Sequence, residues 1–277
     1  MKRSEKTIEK WGRSALVTGA TSGIGREHSA SIFNATNLRR AYEEYRSMII
    51  VLGAVEAAAI AWWLLSYGPG ISGRYAIAVC VWLALIAVWT GGVVRIAKTG
   101  FLKRHTRLLS NLAGYSIVIA GTALFFGSFG FLRDGAISAA IRIPDASLAG
   151  IHILRLLAVG AFIKYRHGEL PLHFVLIGAL PDLLFGVSAT AVTYLATSSA
   201  LDAGFLVVWH CIGVAIFFGA GISMFFSVPS PMRIFRDSKP DTGIVFQFPM
   251  ALAPNLTVPL FTIAHGLALV KYLVELL

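Results

Sequence analysis

From residue 48 onward the chain alternates long apolar runs with short polar breaks. The runs cover residues 48–67, 75–94, 108–132, 148–163, 174–196, 204–227 and 248–275. Most are close to the ~20 residues with which a helix crosses the hydrocarbon of a bilayer. The pattern predicts an all-α, polytopic membrane helix bundle of about seven transmembrane helices over residues 48–277, preceded by a polar segment, 1–47. The fourth run is the shortest and carries Arg155. The seventh holds Pro249, Pro254 and Pro259. Proline lacks a backbone donor and crowds the preceding turn, so a kinked helix, or a lead-in loop followed by a helix from about Pro254, is expected there. Residues 133–147, with Ile137, Ile141 and Ile143 among Arg142 and Asp145, read as a short interfacial helix or a strand-like flap. Trp62 and Trp63 fit an interfacial aromatic belt.

Composition strengthens this reading. Of 277 residues 56% are hydrophobic and 14% charged, with a mean hydropathy of +0.73. Soluble chains carry roughly 25% charged residues, so this one lacks the polar surface a water-facing domain needs. The net charge is +10. Nineteen of the 24 Lys and Arg fall before residue 47, in 95–107, at Lys164 and Arg166, and in 233–239, regions that lie on one side of a seven-span bundle. That asymmetry predicts a cytoplasmic N-terminus and a C-terminus outside. It also gives the basic charge a use other than nucleic acid, which is not an expected partner. The expected partner is the lipid bilayer of a cell membrane, a bacterial inner membrane, with a second membrane protein or another copy of the chain as further candidates. Cys80 and Cys211 form no CxxC pair and are expected as small buried apolar residues.

Ionisable groups at membrane depth are costly and ordinarily face the bundle interior. The candidates are Glu56, Arg155 and Asp182, with Asn255 in the proline-rich lead-in. Arg155 and Asp182 sit near the middle of consecutive antiparallel runs and form the most natural ion pair. His152, His210 and His265 fall at similar depth on three runs, where three imidazoles can hold a metal or a haem iron; a hydrogen-bonded structural role for each is the plainer alternative. Gly186 and Gly213 are among the small residues that let spans approach closely.

Two resemblances add to this. Residues 14–26, with Thr18-Gly19 followed by Gly23-Ile24-Gly25 after a short apolar stretch, resemble the cofactor-binding start of short-chain dehydrogenases. That resemblance implies Gly19, Gly23 and Gly25 as phosphate-loop glycines. The rest of that family's machinery is missing: no Tyr is followed four positions later by Lys, and the first span starts 23 residues after Gly25. The segment therefore reads as a fragment, with Met48 a candidate internal start, and an NAD(P)-dependent dehydrogenase is the remote alternative. The second half resembles a group of small, uncharacterised bacterial multi-span membrane proteins. It does so through Gly168-Glu169-Leu170-Pro171, Ala179-Leu180-Pro181-Asp182, Trp209 with Gly213, Phe248-Pro249-Met250 and Val258-Pro259-Leu260-Phe261 leading to His265. Many of that group carry an acidic residue where this chain has Ile216. This resemblance implies a membrane location, draws attention to Asp182 and His265, and implies no defined activity. The functional expectation is a small transporter or channel with an interior polar site. The alternatives are a haem- or metal-binding redox protein and a non-catalytic accessory subunit, and an enzyme is not expected.

Overall fold

The computed structural model describes residues 35–68, 73–102, 109–198, 200–228, 233–235 and 240–276, with side chains from 48 onward except those of 109–112. Gly19, Gly23 and Gly25 lie outside the described residues. The chain divides into two compact units, Met1–Glu44 and Tyr45–Leu277. Of the first, residues 35–44 are described and are helical. Everything below concerns the second.

It is all α-helical among the described residues. Helix α1 is Ala35–Tyr67 and α2 is Gly73–Lys98. Helices α3, Leu109–Gly127, and α4, Gly130–Arg142, follow. The last four are α5, Asp145–Arg166, α6, Leu172–Thr197, α7, Ala203–Ser227, and α8, Ala253–Leu276. Among the described residues, six helices are long and apolar enough to cross a membrane: Met48–Tyr67 of α1, then α2, α5, α6, α7 and α8. A seventh span is reached if α3 and α4 count as one, but they meet at 110°. The straight third run expected over 108–132 is thus broken at Ser128 and Phe129. The helix beyond the break, Gly130–Arg142, covers most of 133–147, where a short interfacial helix or a strand-like flap is expected, and no strand forms there among the described residues.

Among the described residues three spans depart from α-helical winding, each near its polar residues. α5 tightens to a 3-10 helix over Ile151–Ala158. α6 loosens to a π turn at Val175–Ala179, just before Pro181, and α8 does so at Ala253–Thr257, which contains Pro254 and precedes Pro259. Pro259 has no N–H for the carbonyl four residues earlier, that of Asn255. The Trp89 indole of α2 donates to that carbonyl at 2.8 Å, and the Asn255 amide donates to the Ala251 carbonyl at 2.7 Å. A neighbouring helix thus satisfies what the proline frees, as a lipid environment demands. α6 packs along α5, and α7 and α4 both pack on α8. At Gly186 of α6 an added Cβ would lie 2.7 Å from the Leu156 amide nitrogen, so the α5–α6 contact excludes any side chain there.

Two expectations change. Cys80 and Cys211 are free and exposed on the outside of the bundle. In lipid the outer surface is itself apolar, so a small apolar residue has no need of the interior. Of the tryptophan pair, Trp62 faces outward and Trp63 is buried.

Candidate metal centre

Each span delivers its polar residues by a local rule. In a 3-10 helix, side chains three residues apart eclipse one another. The 3-10 stretch of α5 therefore projects His152 and Arg155 from one side, and both are buried. In α7 the buried stripe Leu206, Trp209, Gly213 and Phe217 has the three-and-four spacing of one helical face, and His210 is buried at its edge. In α8 the stripe Phe261, His265, Ala268 and Tyr272 follows the same spacing.

The three imidazoles meet. One ligand nitrogen from each of His152, His210 and His265 lies within 4.8 Å of the others, and all three residues are fully buried. His152 and His265 stack with ring centroids 3.9 Å apart. His210 meets His265 edge-on, with the two Nδ1 atoms 2.8 Å apart. Phe185, Trp209 and Phe261 enclose His152 at centroid distances of 5.6–5.8 Å.

Arg155 links this cluster to Asp182. Its Nε donates to Asp182 Oδ1 at 2.5 Å, and both terminal nitrogens reach the Gly213 carbonyl at 3.3 Å. Its Nη1 is also 3.3 Å from His265 Nε2. The guanidinium lies between two rings, 4.2 Å from the Phe185 centroid and 4.3 Å from that of Phe217. Gly213 permits this: a Cβ there would lie 2.6 Å from His265 Nε2 and from Phe185 Cζ.

These contacts fix tautomers. Arginine only donates, so His265 Nε2 accepts, its Nδ1 carries the hydrogen, and that hydrogen goes to His210 Nδ1. His210 then bears a hydrogen on Nε2, which is buried without a partner among the described residues, and the same holds for both ring nitrogens of His152. Buried polar atoms left unpaired are costly, and three in one cluster fit a site that a metal ion completes.

The other expected site residues are separate from the imidazoles. Glu56 is fully buried on α1, and neither carboxylate oxygen has a partner among the described residues. Asn255 belongs to the repaired break in α8. One polar group was not anticipated: Lys271 pairs with Asp145 at 2.5 Å and donates to the Ile143 carbonyl at 2.8 Å, while the Tyr272 hydroxyl donates to Asp145 at 3.1 Å. The available signal was Lys271 near one end of the last span and Asp145 at the start of the fourth.

No protein-family model matches the chain, and no curated protein or solved structure matches it either.

Proposed function

We propose that the chain is a multi-span membrane protein that holds one transition-metal ion at His152, His210 and His265, in a binding or electron-transfer role and not as an enzyme. One observation carries this reading: three buried imidazoles from three different spans present ligand nitrogens within 4.8 Å of one another, several of them unpaired. Imidazole suits zinc, copper, iron and nickel. Charge favours copper(I). The group contains no carboxylate, the Arg155 cation is adjacent, and the cost of burying an ion in low dielectric climbs steeply with its charge. Full enclosure by aromatic side chains suits a closed binding site better than an open catalytic one. A haem fits less well, because His152 and His265 already stack ring on ring and leave no slot for a macrocycle between them.

Metal–nitrogen bonds of ~2.0–2.1 Å require ligand nitrogens roughly 3.3–3.6 Å apart, so the 2.8 Å His210–His265 contact must open by less than about an ångström and give up its proton. A metal-bound imidazole normally gives its second N–H to an acceptor. Ligation through His265 Nδ1 therefore requires Arg155 Nη1 to leave Nε2, and the Gly213 carbonyl is already in reach to take it. The transporter or channel reading draws less support, since Arg155 and Asp182 are committed to each other. The asymmetry of Lys and Arg supports a cytoplasmic N-terminus and an outer C-terminus in a bacterial inner membrane, which puts the three histidines in the outer half.

The test is copper(I) binding by detergent-purified protein in competition with a chromophoric chelator, with X-ray absorption to identify the ligands. One copper per chain with nitrogen ligation is expected. His210→Ala and His265→Ala should each weaken it by at least about 100-fold, since loss of a ligand exceeds the 10–100-fold cost of losing its outer support. Equal retention by wild type and both variants refutes the proposal.

A further inference from the structure

Arg155 also lines a cavity of about 170 Å³ whose wall includes none of the three histidines. Its polar end is Arg155 and Asp182, and Met48, Ile49 and Leu52 of α1 form part of its wall. A second cavity, of about 530 Å³, shares Phe174, Phe217, Ala220, Met250, Ala253 and Val258 with the first. Its wall is apolar apart from Tyr115 and includes Phe218 and Ile222, which are 62% and 54% exposed on the outer face of α7. The six shared residues make the two cavities neighbours, a recess with Phe218 and Ile222 at one end and Asp182 at the other.

The recess has a directional head group. Asp182 gives Oδ1 to Arg155, while 26% of its side chain remains open at the cavity it lines. Its second carboxylate oxygen is an acceptor looking for a donor. The charge of Asp182 is already balanced by Arg155, so an incoming cation gains little. Asp182 is also ten residues from the start of α6, roughly 15 Å along the axis at ~1.5 Å per residue, which is near the middle of a bilayer. A molecule that reaches this depth from the side must carry no net charge, which disfavours a phospholipid head group.

We infer that the recess binds a neutral lipophilic molecule with a hydroxyl head and a hydrocarbon tail. The hydroxyl donates to Asp182, and the tail fills the larger cavity toward Phe218 and Ile222. A prenyl- or alkyl-tailed hydroquinone and a long-chain alcohol share this chemistry. The inference goes beyond the metal reading and stands without it, because no histidine of the cluster lines either cavity.

The experiment uses the full chain in detergent, stripped of metal and kept anaerobic, so that the fate of the metal proposal does not affect it. Binding of radiolabelled decyl-benzohydroquinone, its dimethyl ether and dodecanol is measured by equilibrium dialysis. One saturable site per chain is expected. The ether, which cannot donate, should bind about tenfold more weakly, as loss of a hydrogen bond to a charged group implies. Gly221 lines the larger cavity, and a Cβ added there meets nothing within 4 Å. Gly221→Phe should therefore fill the recess without a backbone clash and weaken binding at least tenfold. Tighter binding of the hydroquinone than of dodecanol, or the reverse, identifies which source the site selects. Equal affinity for hydroquinone and ether overturns the inference, as does unchanged binding in a folded Gly221→Phe protein. Where that variant does not fold, the ether comparison on the wild-type chain decides alone.

Discussion

Breaking the Arg155–Asp182 pair one side at a time should be far more costly than removing both sides together. Arg155 is buried, its charge enclosed by Phe185 and Phe217 and hydrogen-bonded to Gly213. Asp182→Leu leaves that cation with the Gly213 carbonyl, His265 Nε2 and two ring faces. Removal of one partner from a buried pair costs about 3–5 kcal/mol, and because 26% of the Asp182 side chain is open to a cavity the lower end, about 3 kcal/mol, applies. Arg155→Met leaves the carboxylate unpaired at the cavity wall and, although the Met side chain packs between the same two rings, forfeits their attraction for a cation, so the middle of that range, about 4 kcal/mol, is expected. The double variant Arg155→Met/Asp182→Leu leaves no uncompensated charge in the interior, and such replacements are often neutral. It should cost about 2 kcal/mol or less, giving a coupling of about 5 kcal/mol for the pair. Reversible unfolding in mixed detergent micelles measures all four proteins. Single-variant losses of about 3 kcal/mol correspond to a melting shift of roughly 6–12 °C in a chain of this size. Additive losses, with coupling under about 0.5 kcal/mol, would mean that the two charges do not meet, and the arrangement around His265 would fall with them.

Other consequences follow from the same contacts. Asp182→Asn removes the anion that offsets Arg155, leaving a full positive charge about 7–10 Å from the proposed metal; at an effective dielectric of about 20 that is a repulsion of about 2 kcal/mol and weakens copper(I) binding by about 30-fold, readable in the chelator competition. Trp89→Phe deprives the Asn255 carbonyl of its donor. It should cost about 1–2 kcal/mol and speed amide exchange across residues 253–257, while leaving the histidines and their metal affinity unchanged. Gly213→Ala places a methyl 2.6 Å from His265 Nε2. The ring must shift, so a loss of about 1–3 kcal/mol is expected together with weaker metal binding, checked by melting and by the same competition.

The spans are legible because hydrocarbon thickness imposes a length, and a helix that meets it leaves an uninterrupted apolar run. The bend between α3 and α4 is not legible for the same reason: hydropathy continues unbroken from Leu124 to Leu132, while Phe129 turns the chain by adopting an extended conformation. The polar candidates stand out as exceptions in an apolar background, and Arg155 with Asp182 also follows from consecutive antiparallel runs. What sequence does not contain is helix order. His152, His210 and His265 share a depth, but only the packing of α7 and α8 with α5 tells a shared site from three separate contacts. The sandwich of Arg155 between Phe185 and Phe217 is equally hidden, since both are apolar residues among many. The cysteines mislead because the rule that apolar residues go inside presumes water outside.

The least visible device is the change in winding, and it governs the site. In an α-helix, side chains three residues apart diverge by about 60° around the axis; in a 3-10 helix they align. Had α5 kept α-helical winding through Ile151–Ala158, His152 and Arg155 would splay by about 60° on the same face, where the 3-10 winding aligns them as the arginine reaches His265 and the histidine stacks on it. The π turns of α6 and α8 do related work, since each precedes a proline and rotates the segment that follows, the one carrying Asp182 and the one carrying His265. Irregular winding leaves backbone groups in need of partners, which neighbouring spans supply here at measurable cost, as Trp89 does for Asn255. A bundle that needed only to fill a membrane would have no use for three such departures. Their placement beside the ionisable residues of α5, α6 and α8 is the fold-level reason to read this cluster as a built site and not as polar residues stranded in lipid.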